Sequence, residues 1–205
     1  MQSLIDLIQK EGRYLGNDIL KVDSFLNHQV DVHLMTAIGR AFYQRLGESR
    51  QPISKILTAE ASGIMPALTT AIIADCRMVY ARKSTSKTMV DACYEAEAIS
   101  RTRGNKSILR VNKNYLKPDD RVLIIDDFLA IGSSIGAMID IVQQANATLV
   151  GIGVVIEKPI EGGRKRIRQH LYDNCPVTSL AQISFDNDQV ITAPGKLETL
   201  MPEKQ

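Results

Sequence analysis

Hydrophobic side chains recur at helical spacing in the first part of the chain. In residues 3–11 and again in residues 34–45 they fall at intervals of three and four, so that they share one face of a helix. Gly12 follows the first run and Gly47 follows the second, and glycine commonly ends a helix. The pattern therefore predicts two helices near the amino terminus.

From residue 55 onward, short apolar runs alternate with helical patterns. The predicted strands cover residues 55–59, 78–81, 122–125 and 149–156, and the predicted helices cover residues 66–74 and 134–145. The strand runs are apolar without strict alternation, which is typical of strands that are covered on both faces. This arrangement predicts βαβ units and an α/β fold with a central parallel sheet flanked by helices.

Two other segments depart from this alternation. Residues 84–120 are rich in Ser, Thr, Lys, Arg and Asn, with strand-like runs at about 90–99 and 107–111. We predict an antiparallel flap there, inserted into the α/β core. Residues 177–193 have the pattern of a hairpin, and the Asp-Asn-Asp sequence at 186–188 favours its turn.

Composition and charge narrow the class of protein. The chain has 205 residues, which fits one domain, and its net charge of +2 argues against nucleic-acid binding by bulk charge. Three cysteines without C-x-x-C spacing fit a reducing, cytoplasmic setting without disulfides or zinc. No signal peptide and no membrane span is predicted, because acidic residues interrupt the first helix and no run reaches ~18 apolar residues. The basic run 164–168 is interpreted as the solvated face of a helix, with nucleic-acid contact as the alternative.

The most informative stretch is 121–134. A predicted strand leads into two adjacent acids, Asp126 and Asp127, and a loop with Gly-Ser-Ser at 132–134 precedes a helix. Paired carboxylates at a strand end can accept hydrogen bonds from sugar hydroxyls or hold Mg²⁺. The amides of a helix start attract phosphate. A strand end and a capped helix are the structural alternative for either feature alone, whereas the ordered set favours a binding site for a phosphorylated sugar.

This stretch closely resembles the phosphoribosyl-diphosphate-binding motif of type I phosphoribosyltransferases. A Walker A loop is excluded, because the Gly-Lys-Ser/Thr ending is missing. Further stretches are similar, in order and spacing, to the bacterial xanthine phosphoribosyltransferases, and they cover residues 20–29, 60–63, 81–83 and 151–158. The resemblance runs from about residue 1 to about residue 190, and the block at 20–29 is its most specific part.

The resemblance implies a fold and a reaction. It implies a single type I phosphoribosyltransferase-like domain over residues 1–205, with a flap at about 84–120 and a small purine-binding hood from about 1–30 and 159–205. The implied enzyme serves purine salvage: xanthine reacts with 5-phosphoribosyl 1-diphosphate to give xanthosine 5-monophosphate and pyrophosphate. Mg²⁺ would accompany the diphosphate, and the resemblance suggests a cytoplasmic homodimer with no nucleic-acid or membrane partner.

The resemblance also assigns site residues by position. The residues implied for the phosphoribosyl diphosphate are Ala130, Ile131, Gly132, Ser133 and Ser134 at the 5-phosphate, with Glu60, Ala61, Ser62 and Gly63 at the pyrophosphate. The implied catalytic residues are Asp126 and Asp127 at the ribose hydroxyls, also the candidates for contact with Mg²⁺, and Lys83 at the leaving group. The residues implied for xanthine are Leu20, Asn27 and Lys158, and the candidates to close the flap are Lys87, Arg101, Arg103 and Lys106.

Simple chemistry fits the implied purine contacts. Lys158 can donate to a purine carbonyl oxygen, and Asn27 offers both a donor and an acceptor. The structural alternatives are a solvated strand end for Lys158 and a turn residue for Asn27.

Two other functions stay open. Some transcriptional repressors of purine genes use the same fold to sense phosphoribosyl diphosphate, but the first 25 residues are too few for their winged-helix domain. An enzyme for guanine or hypoxanthine is the other alternative. Ala130 argues against an acid–base role at its position, where the guanine and hypoxanthine enzymes carry an Asp.

Ile131 is the least expected residue of the implied phosphate loop, since relatives carry a polar residue there. We predict that Ile131→Asn lowers the Michaelis constant for phosphoribosyl diphosphate, because the amide adds a hydrogen-bond donor beside the phosphate. Steady-state kinetics at saturating xanthine measures this. An unchanged Michaelis constant would contradict the prediction.

Overall fold

The computed structural model describes residues 1–47, 52–84, 92–99 and 106–203. The helices are α1 (Gln2–Glu11), α2 (Val32–Phe42), α3 (Ile64–Ala74), α4 (Ser133–Gln144) and α5 (Gly163–His170), and short π-helical turns cover Asp23–Asn27 and Tyr43–Gly47. The first strands are β1 (Arg13–Tyr14), β2 (Leu20–Lys21), β3 (Lys55–Ala59), β4 (Arg77–Ala81), β5 (Cys93–Ile99) and β6 (Lys106–Asn112). The later strands are β7 (Arg121–Leu129), β8 (Thr148–Glu157), β9 (Cys175–Asp186), β10 (Gln189–Pro194) and β11 (Leu197–Leu200).

The central sheet has the order β10-β9-β8-β7-β3-β4, and β11 also pairs with β9. The pairs from β9 through β8, β7 and β3 to β4 are all parallel, whereas β10 and β11 run antiparallel to β9. This confirms the predicted α/β fold with a central parallel sheet. The carboxyl ends of five parallel strands consequently meet at one edge, where open α/β sheets bind ligands.

Two apolar cores cover the two faces of the sheet. On β7, Val122 and Ile124 pack into the core that contains α4, whereas Leu123 and Ile125 pack into the core that contains α1, α2 and α3. Successive side chains of a strand point to opposite faces, so an all-apolar strand is what a sheet between two layers requires. Burial on both faces explains why the sequence of these strands shows no alternation.

The flap and the tail hairpin both form as antiparallel pairs. β5 pairs with β6 from Cys93 opposite Asn112 to Ile99 opposite Lys106, and β5 packs against α4. In the tail, β9 pairs with β10 across a turn whose residues Asn187 and Asp188 both have positive φ. Both antiparallel pairs agree with the sequence prediction.

The structure corrects the predicted end of the 122–125 strand. β7 continues through both acids to Leu129, because its parallel pairing with β8 persists to the Leu129–Glu157 pair. Asp126 and Asp127 therefore lie within the last third of the strand, and the loop begins only at Ala130. Two charged residues inside a buried strand are not what apolar periodicity predicts.

The interpretation of the basic run 164–168 is wrong for its first residue. The run lies on α5, where Ile167 is buried and the Arg164 side chain is only 13% exposed. Arg164 turns inward because Glu157 at the end of β8 accepts its guanidinium. Among the described helices, none has the length and apolar character needed to cross a membrane.

Candidate active site

The predicted site residues follow the carboxyl ends of neighbouring parallel strands. The 60–63 turn follows β3, Lys83 follows β4, the 130–134 loop follows β7, and Lys158 follows β8. Because these strands are adjacent and parallel, the four segments lie along the same edge of the sheet. The topology thus gathers residues that are about 100 positions apart in the sequence.

Asp126 and Asp127 form a closely coupled pair of carboxyl groups. Burial raises the pKa of Asp126 well above its usual range, and the charge of Asp127 adds to the effect. Burial also raises the pKa of Asp127, although hydrogen bonds from Asp126 and Ser62 oppose the rise. The Asp127 amide donates to Asp126 Oδ1 at 3.0 Å. The positive charge of Lys83 lowers the pKa of Asp126, but by less than burial and the charge of Asp127 raise it.

The 60–63 turn packs directly against the acids. A Cβ atom at Gly63 would lie 2.7 Å from Asp126 Oδ1 and would overlap the Thr58 hydroxyl, so only glycine allows this approach. The Lys83 amide donates to Glu60 Oε1 at 2.6 Å, which ties the turn to the end of β4. The Glu60–Ala61 peptide bond is cis.

The 130–134 loop borders a cavity of about 210 Å³. Liquid water occupies about 30 Å³ per molecule, so the cavity can hold a phosphoryl group. It is lined by Lys83, Ala98, Ile99, Ser107, Phe128, Ala130, Ile131, Gly132, Ser133, Ser134 and Ile135. Lys83 supplies a cation to a space that the amino terminus of α4 also faces, and both features favour an anion.

The Ser133 hydroxyl has a role that the sequence did not reveal. Its oxygen accepts the Ile99 amide at 2.7 Å, so it joins the flap strand β5 to the loop. Gly132, in the left-handed region with φ 78°, precedes α4 without a side-chain cap. The sequence motif predicts both serine hydroxyls for one anion, whereas Ser133 also holds the flap.

Lys158 is enclosed and not a solvated strand end. Its side chain is 11% exposed, and its Nζ donates to the Asp18 carbonyl oxygen at 2.8 Å and lies 3.6 Å from Glu161. The Phe128 ring centroid lies 5.7 Å and the Phe185 centroid 5.9 Å from the same atom. These distances place an ammonium group between two aromatic rings.

The aromatic residues around Lys158 were missed by the sequence analysis. Phe185 lies near the end of β9, and its ring contacts the Tyr14 ring with centroids 4.9 Å apart. Phe128 directly follows the two acids, and this position next to the motif was the feature of the sequence that could have identified it as a site residue. Phe185 and Tyr14 carry no local signal, because only the tertiary fold brings the two chain ends together.

The other predicted purine residues occupy different environments. Leu20 is 7% exposed and packs into the core beside α1 and α2. It lies two positions from Asp18, whose carbonyl oxygen accepts Lys158. Asn27 is exposed at the end of a π-helical turn.

The flap candidates are only partly described. Lys87, Arg101 and Arg103 lie outside the described residues. Lys106 is exposed and pairs with Glu97 across the flap hairpin at 2.9 Å. An exposed pair of this kind contributes little to stability, about 0–1 kcal/mol.

The residues at this edge fit a magnesium ion that arrives with its substrate. Within the described residues, no cluster of three or more His, Cys, Asp or Glu side chains could hold a metal. Mg²⁺ commonly binds through one or two carboxylates together with substrate phosphates and water. Asp126 and Asp127 meet that smaller requirement.

Comparison with known proteins agrees with this geometry. The phosphoribosyl transferase domain model matches residues 30–188. The adenine phosphoribosyltransferase of Rhodothermus marinus superimposes with a TM-score of 0.70 at 22% identity, covering 89% of this chain and 99% of that one. The enzyme of that name from Trypanosoma brucei gives the same score at 19% identity, covering 85% and 77%. At these identities the likeness shows the shared fold.

The chain belongs to the phosphoribosyltransferase family. Among its relatives are the xanthine phosphoribosyltransferase of Lacticaseibacillus casei, 47% identical over 95% of this chain and 99% of that one, and that of Oenococcus oeni, 46% identical over 92% and 89%. These relatives span nearly the whole chain, including the amino-terminal block that the domain model leaves out.

The raised pKa of Asp126 makes a prediction for the ligand-free protein. A carboxyl group whose folded pKa lies above its ordinary value of 3.8 costs stability once the pH passes that value, and the cost grows until the folded pKa is reached. Asp126→Asn removes the buried charge, so we expect the variant to be more stable than the parent at pH 8, with a smaller difference at pH 5.

Urea denaturation in the presence of a chelator measures this difference. Asp119→Asn is the matched control, because Asp119 is exposed on the loop before β7 and its neutralisation should leave the midpoint nearly unchanged. A less stable Asp126→Asn variant at pH 8 would show that the buried carboxylate is compensated.

Proposed function

We propose that this chain transfers the phosphoribosyl group of 5-phosphoribosyl 1-diphosphate to xanthine, giving xanthosine 5-monophosphate and pyrophosphate in purine salvage. One arrangement carries the proposal: an anion-sized cavity, the buried Asp126 with the half-buried Asp127, and an enclosed lysine lie along one sheet edge. The near-full-length likeness to enzymes named for xanthine supports the choice of purine.

The proposed 5-phosphate site is the 130–134 loop. Backbone amides at the start of α4 face the cavity and can donate to phosphate oxygens. Ser134 adds a hydroxyl, and Ser133 can donate its proton while its oxygen holds the Ile99 amide. Ile131 contributes its backbone N–H and an apolar wall.

The two acids are proposed to hold the ribose hydroxyls. Carboxylate oxygens accept hydrogen bonds, so the ribose hydroxyls could donate to them. Bound Mg²⁺ would neutralise part of the diphosphate charge, and Asp126 and Asp127 are the residues proposed to face it. Their fixed position on β7 orients the sugar at no cost in reorganisation.

The 60–63 turn and Lys83 are proposed to receive the leaving pyrophosphate. Bond breaking at C1 of the ribose places positive charge on the sugar and negative charge on the departing oxygen. Preorganised donors aimed at that oxygen stabilise the transition state. Lys83 lines the cavity, and its backbone amide donates to Glu60, so the residue lies beside the turn.

Lys158 is proposed to donate to a carbonyl oxygen of xanthine. In the structure its ammonium group donates to another carbonyl oxygen, that of Asp18. A purine carbonyl of the same chemistry could replace that partner, and the Phe128 and Phe185 rings offer flat apolar surfaces nearby. Leu20 and Asn27 are proposed to complete the purine site through the amino-terminal hood.

We also propose one domain over residues 1–205 in a cytoplasmic enzyme, with the hood built from both ends of the chain. Contacts of α1 and β1 with β10 support a joint amino- and carboxyl-terminal unit. The hood would cover the purine, and the flap at about 84–120 would cover the diphosphate and exclude water.

The assay that tests the function measures pyrophosphate release from phosphoribosyl diphosphate and Mg²⁺ with xanthine, guanine, hypoxanthine or adenine. We expect the highest kcat/KM with xanthine. Release with guanine or hypoxanthine alone would overturn the choice of substrate. No release with any base would favour a phosphoribosyl-diphosphate sensor.

Lys158→Met tests the purine contact. The variant keeps much of the side-chain length and loses the donor, so we expect the Michaelis constant for xanthine to rise on the order of 100-fold. The constant for phosphoribosyl diphosphate should change by less than about twofold, because the lysine does not border the 130–134 cavity. Lys165→Met is the control, since Lys165 is exposed on α5. Equal effects on both substrates would contradict the assignment.

We propose a homodimer that buries the β4 edge of the sheet. β4 pairs only with β3 in its own sheet among the described strands, and Tyr80 on it is 41% exposed. On the preceding helix α3, Leu68 is 43% and Ile72 67% exposed. Light scattering should give twice the chain mass for the parent and a lower mass for Ile72→Lys. The matched control is Ile160→Lys, which changes an isoleucine that is 81% exposed and lies away from this face.

A further inference from the structure

Residues 157–164 form a loop that an ion pair closes at its base. Glu157 ends β8, and Arg164 is the second residue of α5. Arg164 Nε lies 2.6 Å from Glu157 Oε1, and Arg164 Nη2 lies 2.9 Å from Glu157 Oε2. The two side chains are 3% and 13% exposed. Between them lie Lys158 and Gly163, which face different parts of the site.

The Glu157 carboxylate is fully engaged. Besides the two bonds from Arg164, it accepts the Ser179 hydroxyl at 2.7 Å and the Gln182 amide at 3.0 Å. Burial alone would raise the pKa of Glu157, but the hydrogen bonds from Arg164, Gln182 and Ser179 outweigh burial and lower it. The carboxylate is therefore held in its charged form in one orientation.

The Arg164 guanidinium is equally engaged. All five of its N–H groups donate. In addition to Glu157, they reach the Val177 carbonyl at 3.2 Å, the Lys196 carbonyl at 2.9 Å and a Glu198 carboxylate oxygen at 3.4 Å. A planar group with five fixed bonds defines the position of the first turn of α5.

That turn presses against the 130–134 loop. A Cβ atom at Gly132 would lie 2.8 Å from the Gly163 carbonyl oxygen and 3.2 Å from its Cα. A Cβ atom at Gly163 would in turn overlap the Ala130 carbonyl oxygen and lie 2.5 Å from Leu129 Cδ1. The two backbones therefore touch without intervening side chains, and a shift of Gly163 would be passed on to Gly132.

Glu157, at the other end of the ion pair, positions the backbone of Lys158. The Lys158 amide donates to the Leu129 carbonyl oxygen at 2.8 Å, and Glu157 is the β8 partner of Leu129. The residue next along the chain from Leu129 is Ala130, which begins the loop. Glu157 thus fixes the backbone from which the lysine extends, directly beside the loop that Arg164 supports through Gly163.

We propose that Glu157 and Arg164 are positioning residues that hold the purine lysine and the 5-phosphate loop at a fixed separation. Neither residue is assigned to touch substrate. The inference rests on the proposed function, because it gives the Glu157–Arg164 ion pair a role in both the purine subsite and the 5-phosphate subsite. Its signature is that one substitution weakens both substrates, whereas Lys158→Met weakens only the purine.

The test compares Arg164→Lys and Glu157→Gln with a matched buried pair elsewhere. Lys55 and Asp120 lie at the opposite, amino-terminal edge of the sheet, 3.6 Å apart, with side chains 14% and 11% exposed. Asp120→Asn should lower the thermal midpoint and leave both Michaelis constants within about twofold. Arg164→Lys and Glu157→Gln should raise both constants on the order of 10-fold or more, because displacements near 1 Å in reacting groups can cost 100-fold.

Two further measurements separate positioning from general loss of structure. Millimolar guanidinium should recover part of the activity of Arg164→Ala, because it can fill the vacated site between Glu157 and Glu198. Isothermal titration with ribose 5-phosphate should show binding to Arg164→Lys weakened on the order of 10-fold, as the effect on the 130–134 loop requires. This binding measurement does not depend on catalysis.

The outcomes are distinct for the two proposals. If the parent protein releases no pyrophosphate with any base, the proposed function fails, and weakened ribose 5-phosphate binding would still support positioning of the loop. If the parent is active but Arg164→Lys and Glu157→Gln behave like Asp120→Asn, the ion pair is only a structural element and the inference is overturned. Unchanged ribose 5-phosphate binding in both variants overturns it as well.

Discussion

The parallel pairing of β7 with β3 and β8 is the constraint on which the rest of the structure depends. It brings the ends of three neighbouring strands to one edge, and each end continues into a segment of the site. Pairing with β8 persists to Leu129, so the acids lie within a strand and not in a loop. The strands, and not the sequence of the loops, therefore set the separation between these segments.

The site contrasts two treatments of buried negative charge. Glu157 accepts four hydrogen bonds that outweigh burial and lower its pKa, whereas burial and the charge of Asp127 raise the pKa of Asp126. Removing one partner of a satisfied buried pair typically costs about 3–5 kcal/mol. Hydrogen-bond donors thus surround Glu157, the residue proposed to support the site, and its carboxylate differs in this from the acid proposed to bind the ribose. Glu157 and Asp126 lie on the adjacent strands β8 and β7, so a supporting carboxylate and a proposed binding carboxylate are neighbours in the sheet.

Much of the fold was readable from the sequence, because apolar runs and helical spacing follow directly from burial between two layers. Lys55–Ala59 agrees with the predicted strand to the residue, and α4 differs by one position at each end. Arg164 was misread because a local pattern of basic residues does not reveal a partner on another strand. Phe185 and Tyr14 were missed for the same reason, as their contact depends on the two chain ends meeting. The strands β1, β2 and β11 are too short for a hydrophobic periodicity to be recognised in the sequence.

The hydrogen bond from the Ile99 amide to Ser133 should respond to whether an anion occupies the cavity. The Ser133 hydroxyl can accept from the flap and donate to an anion at once, so the three groups form a chain in which each bond polarises the next. An anion in the cavity would thereby strengthen the hydrogen bond made by the backbone amide of Ile99, a flap residue that lines the same cavity. Slower exchange of a single amide hydrogen, at Ile99, then becomes a spectroscopic gauge of whether the pocket is filled.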